Sequence, residues 1–188
     1  MQFCSNCGSQ VTLQIPPGDN RERSVCGSCE TIHYVNPKLV VGCILTWEKK
    51  VLLCKRSIEP RLGYWTLPAG FMENGESTAE GAAREAFEEA NATPESLELF
   101  GVYSLPRISQ VYMMFLGKLK DGYASAGEES LEVGLFEQQD IPWTELAFPV
   151  VSESLEQFFN RNQSTNERAY LADVHSRPGH AVDVTRHH

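Results

Sequence analysis

Four cysteines within the first 29 residues constrain this chain most. Cys4-Ser-Asn-Cys7 and Cys26-Gly-Ser-Cys29 bracket a polar segment containing Pro16-Pro17-Gly18-Asp19-Asn20. A stretch this short cannot bury a core of its own, so something must cross-link it. Two CxxC turns can present four thiolates in a tetrahedral array around zinc, and Gly8 and Gly27 suit the tight turns that point backbone amides toward sulfur. The expected reading is a structural Zn2+ ribbon held by Cys4, Cys7, Cys26 and Cys29; disulfides, free thiols or a redox-active pair are the alternatives. Four protein ligands leave no open position for a reacting water, so such a zinc organises the fold and does no chemistry. Cys43 and Cys54 lie inside the apolar runs Val40–Leu45 and Val51–Cys54, where buried, unreactive thiols are expected.

Beyond the ribbon, 188 residues of 41% hydrophobic composition are enough for one principal domain. The formal net charge of -9 argues against a polyanion-binding surface, and the ribbon's Arg21, Arg23 and Lys38 are accompanied by Asp19, Glu22 and Glu30. No nucleic-acid partner is expected. A phosphorylated small molecule would need local arginine, lysine or bound cations to offset its charge. No run approaches eighteen apolar residues, and MQFCSNCG lacks the basic region and apolar run of a secretory signal, so a cytoplasmic location without membrane association is expected.

From Lys38 onward, Leu39–Thr46 and Lys50–Cys54 read as neighbouring strands, with further strands at Glu98–Tyr103, Val111–Leu119 and Glu132–Phe136. After Pro149, the spacing of Val150, Leu155, Phe158 and Phe159 predicts an amphipathic helix. The sum is a mixed sheet covered by helices. Boundaries follow at 1–36 for the ribbon, 37–162 for the main domain with its final helix, and 163–188 for a peripheral or flexible tail.

The segment Gly75 to Ala92, GESTAEGAAREAFEEANA, opens with a capping box, Ser77-Thr78-Ala79-Glu80, which starts a helix at Thr78. Ala79, Ala82, Ala83, Ala86, Phe87 and Ala90 supply a narrow apolar side, and the opposite side is expected to carry the charge. Glu85, Glu88 and Glu89 stand at offsets zero, three and four, so all three project from one sector. Arg84 can pair with Glu88 but cannot neutralise the set. A solvated acidic face is one reading. The adjoining loop, Leu67 to Glu76, favours another, because it brings a strand end and two more carboxylates to the start of the helix, a set of oxygen ligands suited to hard divalent cations.

Gly70, five residues, Glu76, seven residues, then Arg84-Glu85-Ala86-Phe87-Glu88-Glu89-Ala90-Asn91-Ala92 resembles the Nudix box, GX5EX7REUXEEXGU. Ala86 is smaller than the usual bulky aliphatic residue, and Asn91 stands at the glycine position; asparagine tolerates the left-handed conformation at a helix end, and Pro94 lies just beyond it. The resemblance covers Lys38 to Phe148. It implies an α/β fold, the Nudix alpha/beta/alpha sandwich with a mixed sheet, and a hydrolase that cleaves nucleoside diphosphates linked to another moiety with Mg2+ or Mn2+. Carried over by position, Glu85, Glu88 and Glu89 with the Gly70 backbone become the metal site, Arg84 its organiser and Glu76 the loop carboxylate. Glu129, then Glu128, is the candidate general base. Arg107 and Arg56 are candidates for binding substrate charge, and Phe71 and Tyr103 for stacking on a base or flavin ring, with packing in the core as the alternative for each ring. The ribbon together with the box resembles Nudix groups related to plastid FAD and ADP-ribose pyrophosphatases and to NADH pyrophosphatases, although Tyr103-Ser-Leu-Pro-Arg-Ile-Ser-Gln110 departs from the SQPWPFPXS segment of the latter. ADP-ribose, giving AMP and ribose 5-phosphate, is the favoured small-molecule substrate. FAD, giving AMP and FMN, comes next, followed by NADH or dinucleoside polyphosphates and then a noncatalytic zinc-ribbon binding module. The resemblance is also compatible with a homodimer.

Overall fold

The computed structural model describes residues 1–161, 169–176, 179 and 181–187, and the chain divides into two units, Met1–Pro37 and Lys38–His188. In the first unit, β1 (Val11–Gln14), β2 (Arg23–Cys26) and β3 (Ile32–His33) form an antiparallel sheet. Its exposed apolar side chains, Leu13 among them, confirm how little core so few residues can enclose. One CxxC turn precedes β1, and the other begins at the last residue of β2 and leads toward β3.

The second unit is built on one mixed sheet. Its strands are β4 (Lys38–Trp47), β5 (Lys50–Arg56), the short β6 (Trp65–Thr66) and β7 (Ala69–Phe71), β8 (Pro94–Leu105), β9 (Gln110–Leu119), β10 (Ser130–Phe136), β11 (Tyr170–His175) and β12 (Asp183–His187). Their order is β10-β5-β4-β9-β8-β11-β12, with β6 on β5 and β7 on β4. Two α-helices, α1 (Thr78–Ala90) and α2 (Pro149–Asn160), complete it among the described residues.

The period-two alternation of the central strands separates two cores. Val41, Cys43 and Leu45 of β4, with Leu52 and Cys54 of β5, pack with Ala82, Ala86 and Ala90 of α1. Ile44, Val51 and Leu53 pack with Val150, Val151 and Leu155 of α2. The result is a helix–sheet–helix sandwich with apolar residues on both sheet faces, as expected of a sheet covered twice. Cys43 and Cys54 are buried in the α1-side core, as anticipated, and burial pushes both thiols up.

The segment 163–188 departs from the peripheral or flexible tail expected. Residues 163–168, 177, 178, 180 and 188 lie outside the described residues, but Tyr170–His175 forms β11 and pairs in parallel with β8, Tyr170 opposite Gly101 and Asp173 opposite Ser104. Ala172 and Val174 are each 2% exposed and extend the α2-side core. β12 pairs with β11 and sends Arg186 to the buried Glu153 of α2, with contacts of 2.9 and 3.1 Å. The composition is polar because one face of these strands meets solvent and because the ion pair itself is built from charged residues.

Candidate active site

Helix α1 is set in place from both ends. The Ser77 hydroxyl accepts the Glu80 N–H at 3.3 Å and the Glu80 carboxylate accepts the Ser77 N–H at 2.8 Å, the reciprocal box expected. At the other end Asn91 is left-handed, at φ 47° and ψ 27°. Between the caps, Glu85 and Glu89 are only 8% and 5% exposed, on the flank of the arc formed by Ala82 and Ala86, whereas Phe87 is 59% exposed. The expected split into an apolar side and an opposite charged side is therefore corrected: two of the three glutamates border the buried side.

Arg84 is the hub of the exposed part. Its guanidinium donates to Glu76 at 3.0 and 2.9 Å, to Glu85 at 2.8 Å, to Glu88 at 2.9 Å and to the Phe71 carbonyl at 3.1 Å. One side chain thus ties β7 and the following loop to the helix. Arg84, together with the Glu73 N–H, holds the Glu76 carboxyl down at about 2.

Glu89 lies beyond Arg84's reach, and its hydrogen-bond donor is the Ala69 N–H at 3.4 Å. Burial, reinforced by the charge of Glu85, pushes it up to about 8, with Ala69 and Arg56 pulling the other way. Glu85 is also raised, because burial outweighs Arg84. A Cβ on Gly70 would collide with the Glu85 carboxylate, so glycine is what lets β7 lie against it.

Glu85, Glu88, Glu89 and Glu129 line one cavity of about 640 Å3, where the first residues of β4 and β9 meet the ends of β8 and β11. Arg56 and Arg107 line it too. Each is held by a backbone carbonyl, Arg56 by Pro60 at 2.9 Å and Arg107 by Ser176 at 2.7 Å, and neither forms an ion pair with a carboxylate among the described residues. Carbonyls orient a guanidinium without neutralising it, so both keep their charge for an anion.

A pair of crowded, buried carboxylates one helical turn apart, facing a cavity, fits a hard divalent cation by donor chemistry, since a cation removes the repulsion and desolvation that raise them. In the metal-free protein Glu89 holds a proton that the unfolded chain gives up above about 4.5, so its contribution to stability falls as pH rises from there through about 8. Metal uptake must displace that proton. Affinity for a divalent cation is therefore expected to rise about tenfold per pH unit below 8, with proton release. Calorimetry in buffers of different ionisation heat checks this, and pH-independent binding would contradict it.

In the ribbon, Cys4, Cys7, Cys26 and Cys29 place their sulfurs within 4.8 Å of one another. The Cys4–Cys29 and Cys7–Cys26 separations are 3.6 and 3.4 Å, near the roughly 3.8 Å that Zn–S bonds of about 2.3 Å require in a tetrahedron. The Thr31 hydroxyl and N–H hold the Cys29 thiol down at about 6, and His33 Nε2 lies 3.3 Å from the Cys4 sulfur. The Thr31 contacts favour thiolate at Cys29, and the four-sulfur cluster fits structural zinc. Residues 2–35 match the zinc-ribbon family described as Nudix N-terminal, and residues 36–158 match the NUDIX domain.

The chain belongs to the Nudix hydrolase family. It is 34% identical over 119 residues to an ADP-ribose pyrophosphatase of Methanocaldococcus jannaschii, covering 61% of this chain and 69% of that protein. It is 31% identical over 124 residues to the NAD-capped RNA hydrolase NudC of Vibrio parahaemolyticus, covering 65% of this chain and 45% of that one. The chain thus spans less than half of that NudC. The crystal structure of a NUDIX hydrolase from Nitrosomonas europaea superposes with a TM-score of 0.88 at 53% identity, covering 94% of this chain and all of the other. No helix among the described residues is long and apolar enough to cross a membrane.

Within this Nudix domain most of the residues expected at the site converge. Gly70, Phe71, Arg56, Arg84, Glu85, Glu88, Glu89, Arg107 and Glu129 line the cavity, while Glu76 stands behind Arg84 and Glu128 is not part of the lining. Tyr103 is a correction: it is 0% exposed and belongs to the α2-side core, so it cannot stack on a substrate there. Tyr112, Phe148, Val174 and Ser176 also line the cavity. No local pattern marked them, because they arrive from segments far apart in the chain: Tyr112 from β9, Phe148 from the start of α2, and Val174 and Ser176 from β11 and the residue after it.

Proposed function

We propose that this Nudix domain hydrolyses the diphosphate bond of a nucleoside diphosphate derivative, with ADP-ribose favoured and AMP and ribose 5-phosphate as products. The observation that carries the reading is one cavity with the buried Glu85–Glu89 pair on one wall and two carbonyl-anchored arginines on another. Such an arrangement suits a diphosphate whose charge a cation at Glu85 and Glu89 would offset, with Arg56 and Arg107 available to its flanking groups. The archaeal relative named an ADP-ribose pyrophosphatase supports the choice of substrate.

In this reading Glu85 and Glu89 would hold Mg2+ or Mn2+, Glu88 completes the acidic set and Arg84 keeps Glu85 and Glu88 in register. A cation held there would supply charge neutralisation at the diphosphate and would lower the pKa of water at the site. Glu129 accepts the proton of the attacking water as its oxygen bonds to phosphorus and the bridging oxygen departs with the other phosphate. Phe71, 47% exposed beside the cavity, offers a ring face to a base. The same exposed ring, with Tyr112 and Phe148 in the wall, gives FAD its standing as the second reading, with AMP and FMN as products. The ribbon's zinc is structural.

Turnover of ADP-ribose, FAD, NADH and diadenosine polyphosphates, with Mg2+ and Mn2+ varied and products identified, tests the proposal; no AMP release from any of them would end it. Arg107→Ala is expected to raise KM about tenfold with kcat within about twofold, because it removes a contact made equally in ground and transition states. A loss confined to kcat would contradict that role.

A further inference from the structure

The left-handed residue that ends α1 is asparagine, although the backbone there asks only for a residue that tolerates φ 47°, for which glycine is the usual solution. The amide is left to be explained. Its Nδ2 lies 3.3 Å from the Ser125 carbonyl, 3.1 Å from the Ser125 hydroxyl and 3.2 Å from the Ala126 carbonyl, three acceptors on a single loop.

That loop caps the helix with its own backbone. The Ser125 N–H donates to the Ala90 carbonyl at 2.9 Å and the Gly127 N–H to the Glu89 carbonyl at 3.0 Å, satisfying groups that the helix end leaves without partners. The approach is so close that a Cβ on Gly127 would run into the Glu88 carbonyl. Two residues further on, the chain is tied from the opposite side. The Ser57 N–H donates to the Glu129 carbonyl at 3.0 Å, and the Ser57 hydroxyl donates to the Glu128 carbonyl at 3.3 Å. Glu129 therefore stands on a segment clamped between the end of α1 and the end of β5, and it faces the cavity that Glu85 and Glu89 line.

We infer that Asn91 is a positioning residue: its amide docks the Ser125–Gly127 loop onto the C-terminus of α1 and so holds Glu129 in register with Glu85 and Glu89. The helix that carries the metal-site carboxylates and the loop that carries the candidate base become one rigid body. This rests on the reading of Glu129 as general base under the proposed function. Misplacement of a reacting group by a fraction of an ångström is costly, so the effect belongs in kcat.

Asn91→Gly is a clean test, because glycine keeps the left-handed turn and removes only the amide. The variant is expected to fold and to retain zinc, to lose about tenfold in kcat with KM within about twofold, and to exchange the Gly127 amide proton about tenfold faster. In a double-mutant cycle its effect on kcat should vanish in a Glu129→Gln background, since the placement of residue 129 no longer matters once it cannot act as a base. Unchanged kcat and unchanged exchange in Asn91→Gly would overturn the inference. So would an equal loss of kcat in both backgrounds, which would show that Asn91 acts through something other than Glu129. Wild-type turnover by Glu129→Gln would remove the base itself from the proposed mechanism and the inference with it, whereas hydrolysis by the wild-type enzyme would still stand.

Discussion

Replacement of Glu89 by glutamine is expected to lower hydrolysis by about 10^2- to 10^4-fold and, at the same time, to stabilise the protein freed of magnesium and manganese. Both effects have one cause. Glu89 is 5% exposed and lies beside Glu85, so a charge at that point is useful to a bound cation and costly without one. Glutamine has nearly the same shape, is neutral at every pH and can still accept the Ala69 N–H. The wild-type carboxyl, at about 8 in the folded chain against 4.5 in the unfolded one, withdraws stability as pH rises through that window. The stability gap between variant and wild type should therefore widen from pH 6 to pH 9. Thermal unfolding of zinc-replete protein at both pH values, alongside turnover at saturating Mg2+, measures the two effects. Equal turnover by the folded variant, or a variant less stable than wild type at pH 9, would refute the assignment.

Cys26→Ser should have the largest effect on folding, and it should be confined to the first unit. Cys26 is 1% exposed, its N–H donates to Thr31 and its carbonyl accepts from Glu30, so sulfur and backbone are placed together. Structural zinc contributes about 10–16 kcal/mol in small zinc-finger peptides, far more than a three-stranded sheet with exposed apolar side chains can replace. Zinc content is expected to fall from one per chain toward none, and Met1–Pro37 to become sensitive to protease. Among the described residues, the cores on either face of the larger sheet are built from Lys38–His188 alone, so that unit should keep its resistance. Full zinc content with an undigested first unit would count against the four-cysteine site.

Several features were legible before any coordinates because short-range geometry decides them. The capping box places Ser77 and Glu80 three residues apart, and the left-handed end of α1 needs only a residue that tolerates it. The acidic sector follows from offsets of three and four, and the tetrahedral thiolates from two CxxC turns. Each depends on a few residues of chain. Tyr103 shows where such reasoning ends. Its place at the end of the predicted strand Glu98–Tyr103 leaves its ring open to either a ligand or the core, and β8 continues to Leu105 and turns Tyr103 into the core. With both sheet faces covered, strand alternation cannot say which buried face a residue joins.

The sequence by itself determined the zinc ribbon, the capped acidic helix and the family to which the larger domain belongs, because spacing along the chain is enough to align those groups. Only the tertiary structure decided which glutamates are buried, that Arg84 spans Glu76, Glu85, Glu88 and Phe71, and that β11 adds Val174 and Ser176 to the cavity. Burial and long-range pairing depend on what packs from elsewhere in the chain. For the same reason Asn91 reads along the chain as a tolerated turn residue, and its contacts with Ser125 and Ala126, 34 and 35 residues away, exist only in the folded molecule.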